Sequence, residues 1–357
     1  MAADTQISME WNQLRGLLAE LCPVHGLDLA GAVALPCRLP HAERFRDWLQ
    51  QDRHGGLDYM LRDPGARLDP TRRDPAAGTL LVFGQGYTRG WPADDPDPVA
   101  GGAGRTGQPW TAGVARYARG RDYHDVLRSA IKGVVAGMKE LRPELQARVS
   151  CDSGPYLERE YAWLAGLGFF GRNTCLIHER LGSGLFLGVA VTNLVLDGAP
   201  DTAEPQAEPL YAAVPRRLRV HKAYLTACGS CTRCLDACPT GALDPELGLD
   251  ASACISTWTI EKRGQVPEHS RSATRGILFG CDICQTVCPW NQRAAGRDLP
   301  PVDAAYGTMP EHAERGLADL AVMEDEEFRR RFRRTPLWRC HPEGLRRNAQ
   351  RLLEEKS

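Results

Sequence analysis

No stretch of the chain approaches the roughly 20 consecutive apolar residues that a membrane-spanning helix needs. Its start, "MAADTQISMEWNQL", lacks the basic run, apolar middle and small-residue cleavage site of an export leader. A soluble, cytoplasmic protein in a reducing compartment is expected, in which the 13 cysteines do not pair as disulfides. No GxGxxG follows a predicted strand, so a bound nicotinamide or flavin is not indicated. Net charge is lacking too, at −1 over 357 residues, and gives no global clue to a partner.

What is present is patterned cysteine. "CGSCTRCLDACPTGAL" reads Cys228-x2-Cys231-x2-Cys234-x3-Cys238-Pro239, the bacterial ferredoxin spacing in which three close thiolates hold one 4Fe-4S cluster and the fourth reaches across to a second. "GCDICQTVCPWN" supplies Cys281-x2-Cys284-x3-Cys288-Pro289, but Leu278 stands where a symmetric first ligand would be. Cys254, in "ASACISTW", is the one other cysteine between the two runs. The expected ligand sets are therefore Cys228, Cys231, Cys234 and Cys288 for one cluster, and Cys238, Cys254, Cys281 and Cys284 for the other. Zinc fits badly, because it takes paired C-x2-C units separated by a loop. Cys22, Cys37, Cys151, Cys175 and Cys340 follow no such spacing and are expected as small buried apolar residues.

A chain of this length is expected to hold two or three domains. Residues 8–22, "SMEWNQLRGLLAELC", place Trp11, Leu14, Leu18 and Leu21 at helical spacing behind a possible Ser8 cap. "LAGAVAL" and "GTLLVFG" read as short buried strands, and "DYHDVLRSAIKGVVAGMKELRP" as a helix closed by Pro143. Alternating strands and helices suggest an α/β or α+β domain over 1–196. "PADDPDPVAGGAGRTGQP" reads as a mobile loop inside it. Residues 197–222 read as a linker or insertion, 223–295 as the two-cluster domain and 296–357 as a basic helical tail. That tail includes "RRRFRRTPLWRCHPEGLRRNAQR", nine arginines against one acid, Glu343. A second basic run holds Arg216, Arg217, Arg219, His221 and Lys222. Such runs fit either a phosphate-backbone partner or a solvated helical face.

Outside the cysteine runs the most informative stretch is "VSCDSGPYLEREYAWLAGLGFFGRNTCLIH". A strand over "QARVSC" would run into Asp152, with Pro155 opening the helix that follows. Asp152 would then stand at the carboxyl end of a strand, a common ligand position, although an aspartate there also serves as a helix cap. "GFFGRNT" reads as a glycine-rich loop ahead of a hairpin.

Taken together, "HGGLDYML", "ARYARGRDYH", "CDSGPYLEREYAWLAGLGFFGRNTCLI", "CGSCTRCLDACPTGAL", "CISTWTIEKRGQVP" and "GCDICQTVCPWN" resemble the epoxyqueuosine reductase family, from about residue 10 to 295. The resemblance implies a corrinoid-binding α/β (α+β) domain of nitroreductase-like type, a ferredoxin-like domain with two 4Fe-4S clusters, and a cobalamin cofactor. It implies reductive removal of the epoxide oxygen of epoxyqueuosine at the wobble position of tRNA. Asp152 matches the family's proton donor and would need a raised pKa to carry that proton. Arg67, Ala115, Asp152, Gly171, Asn173 and Ser256 would line the corrinoid pocket. Lys262, Arg263, Arg271, Arg346, Arg347 and Asn348 would contact tRNA. No DxHxxG is present, so no histidine ligand from that motif is expected. A low-potential donor of flavodoxin or ferredoxin type would supply electrons, and the protein would act as a monomer.

Two departures from the family pattern stand out. Many members continue beyond the "LRRNA" segment into HEAT-like repeats, which are absent here, and the 197–222 stretch is longer than usual. The alternatives are a reductive dehalogenase, which usually opens with a twin-arginine signal, and a simple electron carrier, for which the more than 220 residues before the clusters would be superfluous.

Overall fold

The computed structural model describes residues 5–88, 110–202, 204–214, 226–266, 272–274, 276–294, 302–309, 312 and 316–354. The expected loop over 92–109 falls outside these residues, as do the basic run 216–222 and Arg271.

A five-stranded sheet forms the body of the first domain, in the spatial order Ala147–Ser150, Leu185–Thr192, Thr79–Gly86, Leu29–Ala34, Tyr211–Ala212. Every neighbouring pair is antiparallel, which makes the domain α+β. The period-2 alternation of the Thr79–Gly86 strand places Leu81 and Phe83 on one face and Leu80 and Val82 on the other. Both faces are covered. Helices Trp11–Val24 and Tyr123–Leu141 pack on the first through Leu14, Leu18, Leu127, Ile131 and Val134, and helix Glu158–Leu164 covers the second through Tyr161, Trp163 and Leu164. Covering both faces explains why this central strand is apolar along its length rather than alternating with polar residues.

Three sequence expectations change. The first helix begins at Trp11 rather than behind Ser8, because Ser8 lies in a short strand, Ile7–Glu10, paired in parallel with Leu194–Asp197, and its hydroxyl donates to Asp197 at 2.9 Å. The helix after Asp152 starts at Glu158, not Pro155. Residues 197–222 are not merely a linker: Tyr211–Ala212 is the sheet's edge strand, and the Gln206 amide, buried in the core, donates to the Ala32 carbonyl at 2.6 Å. The sheet therefore closes beyond residue 196.

Two short helices carry the cysteine runs, Arg233–Ala237 and Ile283–Thr286, and they pack on each other. The carboxyl-terminal segment is built from Leu317–Ala321, Asp325–Phe332, Pro336–Cys340 and His341–Glu354. Its Phe328, Phe332, Leu337, Leu345 and Leu352 share one core with Trp110, Val114, Leu278 and Phe279. That core ties the tail both to the cysteine region and to the chain leading into helix Tyr123–Leu141.

Candidate functional site

Strand Ala147–Ser150 ends two residues before Asp152, whose backbone adopts φ +56°, a left-handed conformation that an aspartate tolerates better than most residues. The reversal is held locally: the Ser153 amide donates to the Cys151 carbonyl at 2.6 Å, and the Asp152 amide to Glu158 Oε1 at 2.9 Å. The sheet is antiparallel, so this placement comes from the turn and not from the strand-end rule for parallel sheets.

The turn aims the Asp152 carboxylate at the start of the next long helix. Tyr123 Oη donates to Asp152 Oδ2 at 2.6 Å, and His124 Nε2 lies 3.6 Å from the same oxygen. On its other side the His124 ring meets Asp122, Nδ1 to Oδ1 at 2.7 Å, and Asp122 also caps the helix by accepting from the His124 amide at 3.0 Å. Tyr123 is fixed between the His124 ring, at a centroid distance of 4.1 Å, and Phe186 at 4.4 Å with the two planes parallel to 1°. The Asp152 side chain keeps solvent access, at 66%, although protein crowds it from several sides.

These contacts move the proton away from Asp152. Burial pushes its carboxyl up, but the hydrogen bonds from His124 and Tyr123 and the charges of His124 and Arg159 outweigh this and hold it below the ordinary aspartate range. Burial opposes charge on His124, yet its contacts with Asp122 and Asp152 raise it to about 9. Glu158 goes the other way from Asp152, pushed well above the usual glutamate range by burial and by the Asp152 charge. The raised pKa expected for Asp152 is therefore corrected: at neutral pH it is the anion, and the proton beside it sits on His124. Tyr59 lies within electrostatic reach of Asp152 and is pushed up to about 12 by burial, Glu261 and Asp152. Burial and the Asp152 charge raise Tyr117 and Tyr123 as well, so all three phenols remain donors.

The eight patterned cysteines gather into two groups. Cys228, Cys231, Cys234 and Cys288 line one cavity of about 110 Å³. Cys238, Cys254, Cys281 and Cys284 form the second group, Cys254 within electrostatic reach of Cys238, Cys281 and Cys284. Among the described residues no three His, Cys, Asp or Glu side chains close on a point as a single metal ion would need. Two neighbouring quartets of thiols are the ligand number that two 4Fe-4S clusters require. Hydrogen bonds also aim at the sulfurs: the Ser256 hydroxyl and the amides of Ser256 and Thr257 at Cys254, the amides of Trp290 and Asn291 at Cys288. Donors of this kind stabilise added negative charge on a cluster.

The segment carrying Cys281 and Cys284 packs against the chain that leads into helix Tyr123–Leu141. The Val114–Phe279 bridge and the Ala115 amide, which donates to the Phe279 carbonyl at 2.8 Å, seat the chain before Tyr123 on the cysteine region. Gly280 has φ +72°, and a Cβ there would come within 2.6 Å of Ala115 Cβ, so the approach requires glycine. Asp282, between Cys281 and Cys284, accepts from the Arg116 amide at 2.7 Å, and the Arg116 guanidinium lies 3.6 Å from the same carboxylate in a buried pair.

With this geometry in place, the comparisons decide the family. An epoxyqueuosine reductase of Synechocystis sp. is 39% identical over 321 residues, 88% of this chain and 95% of the relative. One from Cyclobacterium marinum is 32% identical, with 93% and 94% covered. This chain belongs to the epoxyqueuosine reductase family. Residues 67–153 match the family described as epoxyqueuosine reductase QueG, DUF1730, and residues 227–291 match the 4Fe-4S double cluster binding domain. The fold agrees with a crystal structure of an epoxyqueuosine reductase bound to a tRNA-Tyr stem loop carrying epoxyqueuosine, at TM-score 0.75 and 26% identity over 96% of this chain and 81% of that one. Like the family, the chain is an oxidoreductase with a 4Fe-4S double-cluster region in a mixed α/β fold.

The residues that the family resemblance singled out divide by position. Arg67 donates to the Tyr59 carbonyl at 2.7 Å while its Nε is buried without a hydrogen-bond partner. Asn173 is buried and contacts the Cys284 carbonyl at 3.5 Å. Gly171 sits in the turn that Asn173 closes, with the Asn173 Oδ1 2.6 Å from where a Cβ would be. Ser256 faces the Cys254 sulfur. Among the tRNA candidates, Lys262 lies 6.0 Å from the Trp258 ring, and Arg263 is exposed while donating to the carbonyls of Ile260 at 3.3 Å, Cys340 at 3.4 Å and Arg339 at 3.2 Å. The other three described candidates are committed more deeply. Asn348 is fully buried and donates to the Thr259 and Leu278 carbonyls, both at 2.9 Å, so it is corrected from a tRNA contact to a structural clamp. Arg347 donates to the carbonyls of Lys262, Gly264 and Trp258, and Arg346 to Met323 and Asp325. The side chains spent in this way explain why so many arginines in the tail read as a nucleic-acid footprint. Asn348→Ala is expected to destabilise the protein by about 2–4 kcal/mol, because two buried carbonyls lose their donor. A lowered denaturant midpoint with unchanged iron content checks this.

His124, Tyr123 and Glu158 escaped sequence reasoning as site residues. The only signal was Asp122-x-His124 at a helix start, which reads equally well as capping.

Proposed function

We propose that this protein removes the epoxide oxygen of epoxyqueuosine in the anticodon of tRNA, giving queuosine, and does so as a cytoplasmic monomer. The observation that carries the reading is the Asp152 carboxylate, held by Tyr123 and His124, in a chain similar to epoxyqueuosine reductases over 88% of its length. A relative has been crystallised with an epoxyqueuosine-modified stem loop, which supports tRNA as the substrate. Lys262 and Arg263 are the described residues proposed to meet its phosphates.

Converting an epoxide to an alkene and water takes two electrons and two protons. The eight cysteines are proposed as cluster ligands in the two groups that the fold brings together, delivering electrons singly. The protons are proposed to come from the groups flanking Asp152: His124 donates through the shared Asp152 oxygen, and Glu158 resupplies the turn. Tyr123 keeps the carboxylate oriented toward the substrate oxygen. Cobalamin is the group that the family resemblance implies, and when bound it supplies a strongly reducing metal centre. The residues fit it: Arg67 carries a buried Nε without a hydrogen-bond partner, and the phenols of Tyr59, Tyr117 and Tyr123, within electrostatic reach of Asp152, stay protonated as donors. Arg67, Ala115, Asp152, Gly171, Asn173 and Ser256 are proposed to hold it, in a nitroreductase-like domain joined to a ferredoxin-like one.

Anaerobic incubation of the iron-, sulfide- and cobalamin-loaded protein with a strong reductant and epoxyqueuosine-tRNA, followed by nucleoside mass spectrometry, tests the reading. Cobalamin-dependent loss of one oxygen supports it; an intact epoxide on fully reduced protein overturns it.

The His124 proton also sets a pH limit. Its pKa is raised to about 9 in the folded protein from the ordinary 6.5. The stability it contributes is therefore complete below about 6.5 and is lost as pH rises through about 9. Turnover is expected to fall along the same limb, and His124→Gln to remove the limb while lowering the plateau. A pH–rate profile of the variant that still bends near 9 would assign the proton elsewhere.

A further inference from the structure

Electrons must reach the inner quartet from outside, and the two quartets are placed unequally. The second lies beside Gly280 and Asp282, which pack against Ala115 and Arg116 on the chain that leads to Tyr123. The first lies at the other side of the paired helices, with Cys228 and Cys231 partly exposed, in a cavity that Arg172, Trp290 and Arg293 help to line. Arg233, exposed next to Cys234, reaches toward Gln292 on the same rim at 3.4 Å.

Three arginines stand on this rim. Arg172 donates to the Gly229 carbonyl at 3.0 Å, and Arg293 lies over the Trp290 ring at 5.3 Å. Among the described residues none of the three has a carboxylate within ion-pair distance. The acid on the same short helix, Asp236, accepts from the Thr232 hydroxyl at 2.7 Å. A half-buried aromatic ring amid guanidinium groups that meet no carboxylate among the described residues, beside the first quartet, has the make-up of a charged docking rim around an apolar contact.

We infer that the rim formed by Arg172, Arg233, Arg293 and Trp290 is the docking surface for the electron donor, a small carrier protein with an acidic face around its own redox centre. The first quartet is then the entry cluster and the second the exit. The step balances without protons: the reduced carrier gives up one electron and the oxidised 4Fe-4S cluster takes it. The inference rests on the reading of the quartets as electron-carrying clusters, and not on the identity of the final substrate.

The test uses the full chain with both clusters loaded, mixed anaerobically in a stopped-flow instrument with excess reduced flavodoxin, following cluster bleaching. Arg233→Glu with Arg293→Glu is expected to slow bimolecular reduction at low ionic strength by about tenfold or more, the scale of steering by a few surface charges. The gap should close as salt rises, and reduction by dithionite should change less than about twofold, since a small reductant needs no docking rim. Equal rates with flavodoxin for the variant and the parent at low salt overturn the inference. Should the double variant lose iron, the parent protein and Arg293→Gln decide: parent rates indifferent to salt, or an unchanged rate in the single variant, overturn it equally. Clusters in the parent that no donor can reduce would instead overturn the electron-transfer reading itself.

Discussion

Asp152→Ala is expected to retain the iron and sulfide of both clusters and to lose epoxide turnover by about 10²–10⁴-fold, the range that a positioned proton-handling group contributes. The carboxylate is the meeting point of the Tyr123 hydroxyl and the His124 ring, on one oxygen. Removing it leaves a buried phenol without its acceptor and an imidazolium facing only Asp122. The backbone complicates an alanine, because φ +56° strains any residue with a Cβ, by about 1–2 kcal/mol. Asp152→Asn separates the two effects. Asparagine tolerates the left-handed turn and still accepts from Tyr123, but it cannot shuttle a proton. It is expected to fold as the parent does and to match the alanine variant in lost turnover. An asparagine variant with near-parental turnover would reduce Asp152 to a turn residue, and the catalytic proton would then have to pass from His124 without it. Because the neutral-pH proton resides on His124, the loss should not be rescued by lowering the pH toward the ordinary aspartate range.

Cys254→Ala is expected to lower bound iron from about eight to about four atoms per chain, eliminating one cluster and sparing the other. Cys254 is the only ligand candidate outside both cysteine runs, and three of its hydrogen bonds come from the Ser256 hydroxyl and the Ser256 and Thr257 amides. Those donors have no role without a thiolate to stabilise. The remaining first cluster should still be reduced by the donor protein, while turnover falls to background, because the quartet next to Gly280 and Asp282 is the one packed against the chain that leads to Tyr123. Iron analysis with electron paramagnetic resonance of the reduced variant separates the outcomes. Retention of about eight irons would remove Cys254 from the ligand set and leave the second cluster's fourth ligand to be found.

The cysteine spacing was legible because a cluster's ligands must meet a fixed geometry over a few residues of chain, so local sequence carries most of the constraint. The same holds for helix Tyr123–Leu141 and for the apolar strands Leu29–Ala34 and Thr79–Gly86, where periodicity or an unbroken apolar run reports burial directly. Tyr211–Ala212 was not legible. Its place at the sheet edge depends on pairing with Leu29–Ala30, about 180 residues away in the chain, and nothing local announces that. Tail arginines misled for the same reason. Arg347 and Arg351 look like their solvated neighbours in sequence, and only packing shows that Arg347 satisfies the ends of the segment around Thr257–Glu261 while Arg351 is buried against the carbonyls of Thr274 and Ile277.

By itself, then, the sequence determined the cysteine spacing of a 4Fe-4S double-cluster region, while Asp152 on its own residues read as a helix cap and stood out only through the family resemblance. Only the tertiary structure decided where the proton is. A pKa is set by what surrounds a group in space, and Asp152 owes its anionic state to His124 and Tyr123, which arrive from a helix almost 30 residues upstream, across the sheet's edge.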